Sequence, residues 1–197
     1  SEAAGRVCYD SFASPRPGGN SAYLEHIKES GHGSTLEHAN YTLFIGDISR
    51  PCAQQLTRHR AGFAYSMRSQ RYVDETNGAV VVPPEYLAPD ARDEYLSFMS
   101  VTANQWATYR ALVELTTARI LGEHGECNLS LSREQRTEIR KRARQAARGV
   151  LPANTATALF ATANARAWRH FVETRGTLPA DLEIRGLAVR VLLALRT

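Results

Sequence analysis

Apolar positions along the chain follow two rhythms. Between Ala22 and Ser30, Tyr23, Leu24 and Ile27 share one side and Gly31 follows, which predicts a short amphipathic helix with a glycine end. Ser34 with Glu37 three residues later reads as a capping box that opens another helical turn. Tyr41, Leu43 and Ile45 then alternate with Thr42 and Phe44, the period-two pattern of a strand, ending near Gly46. Ser49 before Pro51 predicts a fresh helix running toward Arg58-His59-Arg60.

The rest of the chain is dominated by the helical rhythm. Gly78, Pro83, Pro84 and Pro89 make Asn77 to Pro89 a loop around a short strand at Val80 to Val82. From Asp90, the positions Tyr95, Phe98, Met99, Trp106, Tyr109 and Val113 keep helical spacing for about 30 residues. Ser132 to Gln135 caps a very basic helix through Arg148, and Pro152 and Asn154 precede a long alanine-rich helix to about Arg175. A last helix covers Ala180 to Leu195. There are no repeats or low-complexity tracts. The predicted fold class is α+β, a mostly helical single domain over residues 1–197 with a small sheet.

Composition narrows the function classes. With 43% hydrophobic and 22% charged residues, the chain suits a globular core and not disorder. Neither a long apolar run nor the basic-then-apolar start of a secretory signal is visible, so no membrane partner and a cytoplasmic location are expected. Cys8, Cys52 and Cys127 lack metal-ligand spacing and are odd in number, which disfavours disulfides and predicts no metal. Of 24 basic residues only Lys28 and Lys141 are lysine, leaving 22 arginines. Guanidinium groups bind phosphate and carboxylate bidentately, although a genome rich in G and C would also raise the arginine count. The arginines are spread through the chain and no nucleic-acid module is present, so nucleic acid is not an expected partner.

Three constellations could carry chemistry. Gln55 and Arg58-His59-Arg60, followed by Ser69-Gln70-Arg71-Tyr72, suit a helix end where cations and hydroxyls converge on an anion. Solvated helix-terminal arginines are the plainer reading of the same residues. Gly31-His32-Gly33-Ser34 and Glu37-His38 allow close backbone approach to a ligand at a helix start, or only an ordinary cap and a surface pair. Asn164, Arg166, His170 and Arg175 lie on the alanine-rich helix, where Asn164, Trp168, Phe171 and Arg175 fall near one face. Those arginines could equally snorkel to solvent.

Taken together, these motifs resemble the flavin-dependent thymidylate synthases nearly end to end, from Arg6-Val7-Cys8-Tyr9 to Glu183-Ile184-Arg185. The most specific part is the family signature R-H-R, spacer, S-x-R-Y, seen as Arg58-His59-Arg60 and Ser69-Gln70-Arg71-Tyr72; Ala147 to Pro152 and Asn164 to Phe171 also match. The resemblance implies that His32, Ser34, Glu37, Arg58, His59, Arg60, Asn164 and His170 hold FAD. It implies that Gln55, Arg58, Ser69, Gln70, Arg71, Arg148 and Arg175 bind a uridine nucleotide, with Arg175 and Ser69 as candidate catalytic residues. Methylenetetrahydrofolate and NADPH are the implied co-substrates. A homotetramer with shared active sites is implied as well; separately, the helix from Asp90, apolar over several turns, is expected to bury part of itself against a partner.

Two departures bear on the substrate. The spacer Ala61 to Arg68 is one residue longer than in the family signature, and Met67 stands where the family usually has a polar side chain. An extra residue must bulge the segment or, in a helix, rotate it by about 100°. A reshaped segment beside the sugar could relax discrimination against a 2′-hydroxyl. In this the sequence resembles the variant branch found in polyoxin-type nucleoside antibiotic biosynthesis. The expected activity is therefore C5-methylation of UMP and dUMP, with an ordinary dUMP-specific thymidylate synthase as the alternative. Cys52 follows Pro51 but lacks the setting of a nucleophile and reads as packing.

Overall fold

In the computed structural model, described for residues 1–13, 17–123 and 131–196, helices dominate and a three-stranded sheet has the order β1-β3-β2, an α+β architecture as the sequence predicts. The elements are α1 (Glu2–Cys8), α2 (Gly19–Glu29), β1 (Asn40–Ser49), α3 (Arg50–Leu56), β2 (Phe63–Met67), α4 (Arg92–Glu123), α5 (Arg133–Ala147), β3 (Ala156–Asn164), α6 (Ala165–Arg175) and α7 (Leu182–Ala194). Cys127 lies outside the described residues. Among the described residues no helix is long and apolar enough to cross a membrane.

Several boundaries differ from the sequence reading. The alanine-rich helix from Asn154 is in fact a strand and then a helix. From Leu159 to Ala163 burial alternates, with Leu159, Ala161 and Ala163 inward and Phe160 exposed. Small residues fit a crowded central strand, so pairing overrides alanine's helix preference. The helix begins only where the Asn164 side chain accepts from the Ala167 N–H at 2.9 Å. Ser34 and Glu37 form no capping box: the stretch Gly33–His38 is a 3-10 turn without a side-chain cap. β1 continues past Gly46 through Asp47, whose φ of +53° is one of the few left-handed conformations short polar residues tolerate. Val80 forms only an isolated bridge with Thr155.

The residues group into two compact units. The first comprises Ser1–Ile45, Gln54–Ser66 and Leu159–Thr197. Its core packs α6 on α7 through Trp168, Phe171, Ile184, Leu187 and Val191, all at most 3% exposed. Phe63 meets Trp168 edge-on at 4.9 Å and stacks on Tyr65 at 5.4 Å. Each such side chain contributes about 1.5–3 kcal/mol by leaving water. The Trp168 indole N–H donates to the Tyr41 carbonyl at 3.2 Å, which satisfies its one polar atom.

The second unit comprises Gly46–Ala53 and Met67–Ala158. Here α4 packs on α5 and on the 3-10 turn Arg148–Val150, around Trp106, Tyr109, Ala147 and Leu151. The start of α5 follows the sequence reading: the Ser132 hydroxyl accepts from the Gln135 N–H, and the Gln135 side chain accepts from the Ser132 N–H. Leu96, Val101 and Leu115 on α4 remain exposed.

Candidate active site

In the first unit a cleft of about 760 Å³ opens between α2, the 3-10 turn after it, the Ala61-Gly62 turn and the start of α6. Glycine lets the chain approach it closely. Gly31 and Gly62 have φ of +70° and +75°, and a Cβ on Gly62 would stand 2.9 Å from the Asn164 amide nitrogen. Across the cleft Arg166 donates to Glu37 at 2.6 Å, which explains why Glu37 is unavailable as a cap. Lys28 and His170 add positive or polar groups beside the N-terminal turn of α6, a favourable place for an anion, while Arg169 is paired with Glu173 at 2.7 Å in the same lining.

The loop after α3 is pinned by Tyr65, whose hydroxyl hydrogen is shared between the carbonyls of Leu56 (2.9 Å) and His59 (2.8 Å). Its burial pushes the phenol well above its ordinary range, so it stays a donor. His59, thus held, packs edge-on against Phe171 at 5.2 Å and His170 at 6.0 Å. The Arg175 Nε–H donates to His59 Nε2 at 3.0 Å. Burial, then the Arg175 charge and His170, push the His59 imidazole below its ordinary value, so the ring is a neutral acceptor protonated on Nδ1. Arg175 is therefore aimed by a neutral partner and keeps its full charge for something else.

The second unit builds a different arrangement. Ser69 Oγ accepts from the Arg71 N–H at 3.3 Å, and the Ser69 carbonyl accepts from the Val73 N–H at 3.0 Å, which folds Ser69–Val73 into a turn. Arg144 of α5 donates to the Tyr72 carbonyl at 3.2 Å and to Asp74 at 2.6 Å. The Thr76 hydrogen bonds and Arg144 hold the Asp74 carboxyl below its usual range despite burial, which alone would raise it. Burial pulls the Arg50 guanidinium down; the Glu75 carboxylate opposes this, while Arg68 and Arg148 add to it. The Nε groups of Arg50, Arg71 and Arg144 are buried without a hydrogen-bond partner. Buried donors of this kind call for an acceptor from outside the chain, and guanidinium groups suit a phosphate.

The sequence matches the family described as Thymidylate synthase complementing protein over residues 1–197. The chain belongs to this family. It is similar to flavin-dependent thymidylate synthases of Mycobacterium sp. (strain JLS), at 46% identity over 97% of this chain and 72% of that protein, and of Mycobacterium leprae (strain Br4923), at 43% over 95% and 71%. The corresponding protein of Mycobacterium avium (strain 104) is 43% identical over 97% of this chain and 72% of its own length. The chain is thus a member of an enzyme family that includes flavin-dependent thymidylate synthases.

The first-unit cleft fits the flavin dinucleotide that the relatives' names imply. Its volume lies within the ~300–1,000 Å³ of ordinary cofactor sites, its glycine backbones admit a flat ring system, and its Lys28 ammonium and helix terminus suit a diphosphate. Glu37, Asn164 and His170 line this cleft, whereas His32 and Ser34 line a smaller hollow of about 360 Å³ with Tyr9 and Arg166. The His32 ring stacks on Tyr9 at 5.7 Å, with its Nδ1 hydrogen-bonded to the Tyr9 hydroxyl. Arg58 and Arg60 are exposed beyond α3, and Gln55 is half-buried on its last turn. Ser69, Gln70, Arg71 and Arg148 belong to the second unit. Arg50, Arg68, Arg144, Asp74 and Glu75 were not among the sequence-predicted site residues. Their one signal is an acidic pair, Asp74-Glu75, one residue beyond the motif Ser69-Gln70-Arg71-Tyr72.

Proposed function

We propose that this chain is a flavin-dependent C5-methylase of uridine nucleotides that accepts UMP as well as dUMP. The observation that carries the nucleotide reading is the turn Ser69–Val73 with its buried, unpartnered Arg71 Nε, a donor set suited to a phosphate. Ser69, Gln70, Arg71 and Arg148 take the phosphate end, together with Gln55 and Arg58. His32, Ser34, Glu37, Arg58, His59, Arg60, Asn164 and His170 hold FAD. Residues 1–197 are one domain of the family, and the enzyme is a cytoplasmic homotetramer with shared active sites. The exposed Leu96, Val101 and Leu115 on the 32-residue α4 support an association of this kind, and a monomer in light scattering would contradict it.

Flavin held by His32, Ser34, Glu37, Arg58, His59, Arg60, Asn164 and His170 and reduced by NADPH would supply the hydride for making a C5 methyl group from the methylene carbon of methylenetetrahydrofolate, with loss of the C5 proton and release of tetrahydrofolate. The chain's own contribution is charge and orientation. Arg175, aimed by neutral His59, stabilises negative charge developing on N3 and the neighbouring carbonyls of the uracil, which makes C5 nucleophilic without a cysteine. Ser69 fixes the turn that orients the nucleotide.

The broader substrate range rests on the lengthened spacer, a turn at Ala61-Gly62, then β2, then Arg68, with Met67 at 40% exposure where a polar side chain is usual. The names of the relatives favour dUMP alone. Purified enzyme should carry the visible absorbance of bound flavin and methylate both nucleotides. Product from dUMP but none from UMP reduces the proposal to a thymidylate synthase, and absence of flavin binding removes it.

A further inference from the structure

Ser69, Gln70 and Arg71 sit on a short stretch, Ser69–Asp74, whose two flanking residues hold one another. Arg68 Nη2 donates to Glu75 Oε2 at 3.0 Å. Each side of this contact is fixed independently. The Arg68 N–H donates to the Ala158 carbonyl at 2.9 Å, and the Arg68 carbonyl accepts from Arg50 Nη2 at 3.1 Å. On the other side, the Glu75 carbonyl accepts from the Trp106 indole at 2.7 Å and from the Gly78 N–H at 2.9 Å. Gly78 leaves the room this needs, because a Cβ there would lie 2.8 Å from Trp106 Cζ2 and 2.9 Å from Glu75 Oε2.

The Glu75 side chain is 1% exposed. Burial pushes its carboxyl above the usual range, with the Arg68 and Arg50 charges pulling it back. Taking a carboxylate out of water costs more than a surface pair returns, so an ion pair here is a poor source of stability; an apolar pair of similar size would hold a loop at least as well. What an ion pair supplies and an apolar contact does not is direction. Closing the stretch also removes the freedom that its residues would otherwise lose on meeting a ligand.

We propose that the Arg68–Glu75 pair is a positioning clasp: it closes the Ser69–Asp74 stretch and presents the Ser69 hydroxyl and the Arg71 guanidinium in the attitude that takes the nucleotide phosphate. This rests on the nucleotide reading of the same turn. Arg68 and Glu75 need not touch the nucleotide. They act through Ser69 and Arg71, with Arg50 bracing the Arg68 carbonyl and Arg144 bracing Tyr72 and Asp74.

The test is calorimetric titration of flavin-loaded enzyme with dUMP, alongside thermal unfolding, for Glu75→Gln, Arg68→Met, Arg68→Lys and Arg71→Ala. Loss of one charge-assisted contact that orients the phosphate donors should weaken dUMP binding about tenfold in Glu75→Gln and Arg68→Met. Arg68→Lys, which keeps the charge but not the fork, should lose less. A merely structural pair would lower the midpoint of unfolding and the number of sites titrated, while the sites that remain bind dUMP as tightly as before; that result overturns the clasp. Should Glu75→Gln fail to fold, Arg68→Met decides alone, because Arg68 is 38% exposed and outside the core. Weakened binding in Arg71→Ala with none in Glu75→Gln or Arg68→Met also overturns the clasp and leaves the nucleotide reading standing. Unchanged binding in Arg71→Ala removes the nucleotide reading itself.

Discussion

The two units treat their polar groups in opposite ways. In the first, the polar groups around the cleft are matched within the chain: Asn164 caps α6, Arg166 meets Glu37, Tyr65 serves two carbonyls and His59 receives Arg175. In the second, Arg50 Nε, Arg71 Nε, Arg144 Nε, Glu75 Oε1 and Thr157 Oγ1 are buried without partners, against Tyr23 OH alone among the described residues of the first. The difference fits a division of labour. A self-satisfied frame suits a large cofactor that binds by shape, whereas unspent donors suit a small, highly charged group that must be gripped and released.

The comparison can be broken most sharply in the core. Phe171 is fully buried beneath His59, so Phe171→Ala should destabilise the protein by about 3–5 kcal/mol in denaturant unfolding and loosen the flavin. A loss under ~1 kcal/mol would show that the first unit is not a rigid frame. Next comes Arg175→Ala, which removes the charge aimed by His59 and should lower turnover with dUMP by roughly 10²–10³-fold while flavin stays bound. If flavin is lost instead, Arg175 belongs to the cofactor and not to the pyrimidine.

Acid should act on the first unit through His59. Its folded value lies below the ordinary 6.5, so its share of stability is complete above 6.5 and is lost as pH falls through the depressed value. Unfolding midpoints measured downward from neutral pH should therefore drop more steeply for the parent protein than for His59→Gln. Parallel curves would show that folding does not hold the His59 value down, by burial or by Arg175. The smallest expected effect is in the second unit. Thr157→Val deletes a buried hydroxyl that has no partner, and should change stability by no more than ~1 kcal/mol, in the favourable direction. A clear destabilisation would mean that this hydroxyl is matched after all and would weaken the contrast.

Legibility in the sequence followed the range of the forces involved. α5 was readable because Ser132 and Gln135 bond each other over three residues, and α4 because Trp106 and Tyr109 keep a local period. β3 was not, since Ala156–Asn164 is a strand only by virtue of its neighbours β1 and β2. The Ser34–Glu37 box failed for a related reason: Glu37 is claimed by Arg166, 129 positions away. At the site, motifs marked Arg58–Arg60, Ser69–Arg71 and Asn164–Arg175, because spacing carries that information. Arg68 is legible only as the end of the lengthened spacer, and Glu75 is not legible at all. An ion pair across a loop leaves no periodic trace, and the burial that makes Glu75 unusual exists only after folding.

One further consequence follows from the placement of the two tryptophans, Trp106 in the second unit and Trp168 in the first. Each indole donates to a backbone carbonyl, of Glu75 and of Tyr41 respectively. Emission from this protein thus divides into two built-in optical reporters, one wired to the arginine turn and one to the aromatic floor beside the cleft. A single phenylalanine replacement silences either and leaves the other to be read alone.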